Sequence, residues 1–188
     1  MGEFNFEGQS LLSHWPVWLV TVTLVVAATI DGIKLKVPNK ITFPLIISGW
    51  AYCTWCYGLE GLGWSLLGTA IGLALLMPAY AIGGMGAGDV KLLAGVGAWM
   101  GGTVTFYAFC ATAVIGAVLA IAMVLYRKAW GRHRDQFMVI LGEIMTIRDP
   151  QVLSTIAAER KPTMMLLPYG IPIAMGTIAY FAWSGMLL

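Results

Sequence analysis

The scarcest thing in this sequence is charge: 11% of its 188 residues are Asp, Glu, Lys or Arg, while 59% are apolar. Soluble domains carry about 25% charged residues. An aqueous globular fold is therefore excluded before any motif is read, and a membrane-embedded chain is expected. The net charge of +2 leaves no electrostatic footprint for nucleic acid. His14 and His133 are the only histidines, and the topology below puts them on opposite sides. No Ser-His-Asp or Cys-His arrangement then shares a membrane level, and neither histidine can join the aspartates in a metal site; no metal and no cofactor are expected. Of the three cysteines, Cys53 and Cys56 form a single C-x-x-C pair with no partner Cys or His nearby. All three are expected to be reduced, buried small hydrophobes. Residues 1–14 hold Glu3 and Glu7 but no Lys or Arg. A signal peptide starts basic, so the first apolar run is expected to be retained as a span.

What the sequence has in abundance is long apolar runs. A spanning helix needs roughly 20 residues. The runs predict an all-α polytopic membrane protein with about six transmembrane helices, at 15–30, 41–57, 63–82, 89–100, 103–126 and 166–187, forming one domain over 1–188. The pair Gly101-Gly102 divides a stretch too long for one span, and Gly68-x-x-x-Gly72 either admits a close helix neighbour or is chance in a chain with 23 glycines. With the N-terminus outside and six spans, all 11 lysines and arginines fall on one side, and Glu3, Glu7 and Glu60 on the other. The positive-inside rule makes the basic side cytoplasmic and leaves both termini outside. The loop 127–165 is then cytoplasmic. Within it Phe137, Ile140, Leu141, Ile144 and Met145 recur at helical spacing, which predicts an amphipathic helix lying on membrane lipid.

Two carboxylates stand at helix ends on the predicted cytoplasmic side. Asp31 closes the first apolar run and Asp89 opens the fourth. Ionisable groups at a membrane edge are costly and tend to be functional. Two neighbouring carboxylates share a proton, so one acts as general base on water while the other polarises a carbonyl. Each residue also has a structural reading. Asp31 suits an interfacial position beside Lys34 and Lys36, and Asp89 suits the first turn of a helix. Pro38 is expected to stop the helix after Asp31, and Asn39 to bond local backbone in the turn. Gly86 and Gly88 leave room for an extended chain. Lys91 either tunes the carboxylates or holds a polar group of a substrate, or is an ordinary topogenic lysine.

The stretch Gly84-Met85-Gly86-Ala87-Gly88-Asp89 contains the G-x-G-D signature of intramembrane aspartyl proteases. Asp31-Gly-Ile-Lys-Leu-Lys-Val-Pro38-Asn39 resembles the first-aspartate motif of type IV prepilin peptidases, with Val37 where the family has Ile. Pro168-Tyr169-Gly170 resembles that family's segment before the last helix. Together the three motifs, in family order, span nearly the whole chain. The resemblance implies a membrane-embedded aspartyl endopeptidase of the bacterial inner membrane. Asp31 and Asp89 would be its catalytic pair, with Gly86, Gly88, Lys91, Pro38 and Asn39 in support. It would cut the leader of prepilins or pseudopilins at the cytoplasmic face. The paired Cys-x-x-Cys domain of the bifunctional members is absent from this sequence, which points to the peptidase-only branch resembling the enzymes of Tad-type (Flp) pili, without methyltransferase activity. Two rivals remain open: another G-x-G-D protease resembling signal peptide or preflagellin peptidases, and a proton-coupled transporter using the aspartates as a relay.

Overall fold

The computed structural model describes residues 14–81, 83–126 and 168–187, and over these the chain is helical, with no strand. Four helices follow in order: α1 (Trp15–Lys34), α2 (Asn39–Ala81), α3 (Ala87–Tyr126) and α4 (Gly170–Trp183). Three of them, α1 to α3, are long and apolar enough to cross a membrane. The loop 127–165 with its expected amphipathic helix lies outside the described residues.

Two glycines break the longest helices. Gly58 has φ 63 and ψ −147 within α2, and Gly101 has φ 78 and ψ 176 within α3. Both conformations are open to glycine and strained for other residues. Each helix thereby becomes two arms, 39–57 and 59–81, then 87–100 and 102–126. The contacts fix how the arms run. Gly68 abuts Gly97, and Gly72 abuts Leu93 and Ala94, so the second arm of α2 runs antiparallel to the first arm of α3. Leu45 lies on Gly95, Gly49 on Ala98, and Asn39 on Lys91, so the first arm of α2 runs parallel to that same arm. The two arms of α2 therefore run in opposite directions, and α2 is a hairpin. Gly61 seated against Cys53 and Tyr57 marks the reversal.

The same reasoning makes α3 a hairpin. Gly116 meets Pro172, Gly176 meets Thr112 and Tyr107 stacks on Tyr180, so the arm 102–126 runs antiparallel to α4. Helices α4 and α1 are also antiparallel, pinned at both ends by Asp31 on Gly170 and His14 on Met186. Six arms thus alternate in direction. The break expected at Gly101-Gly102 is present, and the close approach at Gly68 and Gly72 is a packed helix contact rather than a chance spacing. Between helices in lipid, attraction comes from close van der Waals packing, which small residues permit.

A sharp break orphans the last carbonyls of the arm before it. Ala98 is one of them, and its carbonyl accepts from the Ser65 hydroxyl and, at 3.6 Å, from the Cys53 thiol. Thr105 donates back to the Gly101 carbonyl at 2.6 Å. These partners matter because a bare carbonyl in hydrocarbon costs several kcal/mol. Of the three cysteines expected to be buried, only Cys53 is, while Cys56 and Cys110 face outward. An apolar thiol on the outer surface of a membrane bundle has no water to avoid, so periodicity gave no reason to bury it. The core joins all four helices through residues such as Leu24, Leu45, Leu76, Leu92, Ile173 and Phe181.

Candidate active site

Helix α1 does not stop at residue 30 but continues through Asp31 to Lys34. Leu35 ends it in the left-handed region at φ 51, its N–H bonded to the Asp31 carbonyl at 2.7 Å. The expected stop at Pro38 is therefore corrected. The helix has already ended three residues earlier, and the Pro38 carbonyl instead opens α2, accepting from Ile41 and Thr42. A proline ahead of a helix has no N–H to waste and suits that place. Asp31 thus sits one turn inside the end of α1 and is buried, 2% exposed.

The other aspartate is set by the glycine-rich turn between α2 and α3. Gly83, at φ 77, ends α2: its N–H bonds Tyr80 at 2.9 Å and that of Gly84 bonds Ala79 at 3.0 Å. This is a Schellman termination. Three residues on, Gly86 caps α3. Its N–H donates to Asp89 Oδ2 at 3.0 Å, which is the carboxylate half of a capping box, while the Asp89 N–H donates to the Gly86 backbone carbonyl at 3.1 Å. Asp89 is buried, 5% exposed. Gly88 lies flat against Val37, where a Cβ would come 3.0 Å from the valine Cβ. The two sequence motifs around the aspartates are therefore in direct contact.

Asp31 caps a helix as well, though not its own. Its Oδ2 accepts the Gly170 N–H, the first of α4, at 2.8 Å. No side chain of the α4 N-cap residue, Tyr169, bonds this helix start, so a carboxylate from α1 satisfies an amide that every helix leaves open. Tyr169 itself is half-buried and lies within electrostatic reach of Asp89. Of these consecutive residues, Gly170 thus bonds Asp31 while Tyr169 feels the charge of Asp89. Both carboxylates stand at helix N-termini, where the backbone dipoles favour negative charge.

The supporting residues divide. Gly86 and Gly88, expected to leave room for an extended chain, stand at the cap of α3 and against Val37. Asn39 does not bond local backbone; its Oδ1 accepts from Lys91 Nζ at 3.1 Å, and the same ammonium stands 4.6 Å over the Phe43 ring. Lys91 is a brace between the starts of α2 and α3. Local sequence could not show this, because the partners are 52 residues apart. His14 lies at the far end of α1, its Nδ1 3.0 Å from the Met186 carbonyl, roughly 26 Å from Asp31 at 1.5 Å per residue. Among the described residues no group of three or more His, Cys, Asp or Glu is placed to hold a metal ion. Gly170 is the residue that reading the sequence did not single out for a role, since a backbone amide carries no signature of its own.

The sequence matches the model of the type IV leader peptidase family over residues 18–121, more than half the chain and a stretch that includes both aspartates. Among curated proteins it is similar to a prepilin leader peptidase/N-methyltransferase of Aeromonas hydrophila, 32% identical over 136 residues, covering 69% of this chain and 45% of that protein. The protein of the same description in Neisseria gonorrhoeae is 34% identical over 126 residues, covering 61% of this chain and 41% of its own length. The chain therefore spans less than half the length of these relatives. No solved structure matches it.

Proposed function

The chain belongs to the type IV leader peptidase family, and from that premise we propose that it is an aspartyl endopeptidase that removes the leader of a prepilin or pseudopilin, with Asp31 and Asp89 as the catalytic pair. The observation that carries the reading is that Asp31 and Asp89 are both buried and that the segments bearing them pack together, Gly88 against Val37, with Gly170 donating to Asp31. In the proposed reaction the ionised carboxylate takes a proton from water as the water oxygen attacks the scissile carbonyl. The protonated partner donates to the carbonyl oxygen. Collapse of the tetrahedral intermediate breaks the C–N bond, and a proton passes to the leaving amine.

The remaining parts of the reading follow the same premise. The six alternating arms are proposed as six spans in the bacterial inner membrane, with Lys34, Lys36, Lys40 and Lys91 on the cytoplasmic side by the positive-inside rule. Both termini then face outward and the aspartates face the cytoplasm. The substrate's apolar helix docks in the membrane while its leader extends to the aspartates. Methyl transfer, which the relatives' description includes, is not proposed for this chain, whose family match is to a peptidase.

The test is cleavage of a co-reconstituted prepilin by the wild type, Asp31→Asn and Asp89→Asn, with mass spectrometry of the product N-terminus. Cleavage after the leader by wild type, lost in both folded variants, is expected. A variant that keeps near-full activity removes its aspartate from the pair. Proton flux or uptake with no cleavage of any prepilin moves the reading to a transporter.

A further inference from the structure

Among the described residues, a buried backbone amide from a distant helix stands in direct contact with Asp31: the first amide of α4. We infer that Gly170 is a positioning residue for catalysis, its backbone N–H orienting the Asp31 carboxylate. The inference rests on the peptidase reading above and extends it to a segment outside the matched stretch 18–121.

Three observations carry it. The hydrogen bond is 2.8 Å, buried, and joins residues 139 apart in sequence, so it exists only because α1 and α4 pack antiparallel. The next amides go elsewhere, Ile171 to the Pro168 carbonyl and Ile173 to that of Tyr169, which leaves the Gly170 N–H to the carboxylate. The site also admits no other residue than glycine without a shift. A Cβ at 170 would stand 2.9 Å from Asp31 Oδ2, closer than real Cβ contacts come, and 3.0 Å from its Cβ and 3.1 Å from its Cγ, tighter than most. The far ends of the same two helices are tied by His14 and Met186, so α4 cannot slide to relieve the contact without loosening its other end. A donor held in this way favours the charged form of the carboxylate and fixes its direction before substrate arrives. Among the described residues, the titratable and charged groups at this end of the bundle are Lys34 and Lys36 after Asp31, Lys40 at the start of α2, Asp89 and Lys91 at the start of α3, and Tyr169.

The amide can be removed without adding an atom. Incorporating glycolic acid in place of Gly170 exchanges the N–H for an ester oxygen. The experiment uses the full chain in lipid nanodiscs and reads the Asp31 carboxyl by infrared titration, assigned with Asp31→Asn. It also reads the pH profile of prepilin cleavage. Loss of the donor disfavours the anion, so the carboxyl keeps its proton to higher pH. A titration displaced upward by about one pH unit, and cleavage slowed roughly tenfold to a hundredfold with its acid limb moved the same way, are expected. Gly176→Ala is the packing control, since its Cβ would press on Thr112 and not on Asp31. It is expected to lower stability and leave the acid limb in place. An unmoved titration, or an acid limb that Gly176→Ala moves equally, overturns the inference. A displaced titration in the ester variant, alongside a wild type that cleaves no prepilin, overturns the catalytic role and identifies the peptidase reading as the part that failed.

Discussion

Gly88 gives the sharpest test of whether the two aspartate motifs are held together by contact. Replacing it by alanine adds one methyl group. In the structure that carbon would stand 3.0 Å from Val37 Cβ and 3.3 Å from the Val37 carbonyl carbon, with the carbonyl oxygen closer still. Neither partner yields easily. Val37 is 3% exposed, and the following Pro38 is tied into α2 through its carbonyl. Overpacking of this kind costs about 1–3 kcal/mol. The displaced residue is the immediate neighbour of Asp89, and a misplacement near 1 Å costs about a hundredfold in rate. Gly63→Ala is the matched comparison: it lies within the second arm of α2, and its Cβ would meet nothing within 4 Å. There the gain in helix propensity is about 0.5–1 kcal/mol. Thermal unfolding followed by tryptophan fluorescence, with prepilin cleavage in parallel, reads both. Gly88→Ala is expected to be less stable and nearly inactive, and Gly63→Ala active and slightly more stable. A Gly88→Ala protein as stable and active as wild type refutes the contact between the motifs.

Asp31→Asn and Asp89→Asn are each expected to slow cleavage by about 10²–10⁴, the range of a lost general acid or base, as read in single-turnover assays. Lys91→Met is expected to lower stability by about 1 kcal/mol through the lost bond to Asn39, without displacing the pH profile; a double-mutant cycle with Asn39→Ala measures the coupling, and additive effects would disprove the brace. Ser65→Ala is expected to cost about 1 kcal/mol because Cys53 still reaches the Ala98 carbonyl. Ser65→Ala with Cys53→Ala is expected to cost more than the sum, since only then is the carbonyl orphaned; equal costs in denaturant unfolding would show that the break needs neither partner.

Much of the site was legible locally. The aspartates stand out because a carboxylate bordering an apolar run is expensive, and Gly86 and Gly88 because their spacing from Asp89 is short. Gly101 was legible as a break because two glycines interrupt a run too long for one span. The roles of Asn39 and Lys91 were not, since a flexible ammonium takes whatever acceptor folding brings near. Pro38 was misplaced because it marks the end of one helix and the start of the next with the same residue, and the left-handed Leu35 that actually ends α1 has no sequence signal.

What the sequence by itself determined is the helical class and the membrane as solvent. Scarce charge leaves the backbone no partner but itself, and continuous rather than alternating apolar runs of spanning length select helix over a closed barrel. What only the tertiary structure decided is which helix ends meet. The capping of α4 by Asp31, the seat of Gly88 on Val37 and the brace from Lys91 to Asn39 depend on the Gly58 and Gly101 reversals that set the arms side by side. Such contacts arise from packing between residues far apart in the chain, and the spacing of residues along one helix carries no record of its neighbour.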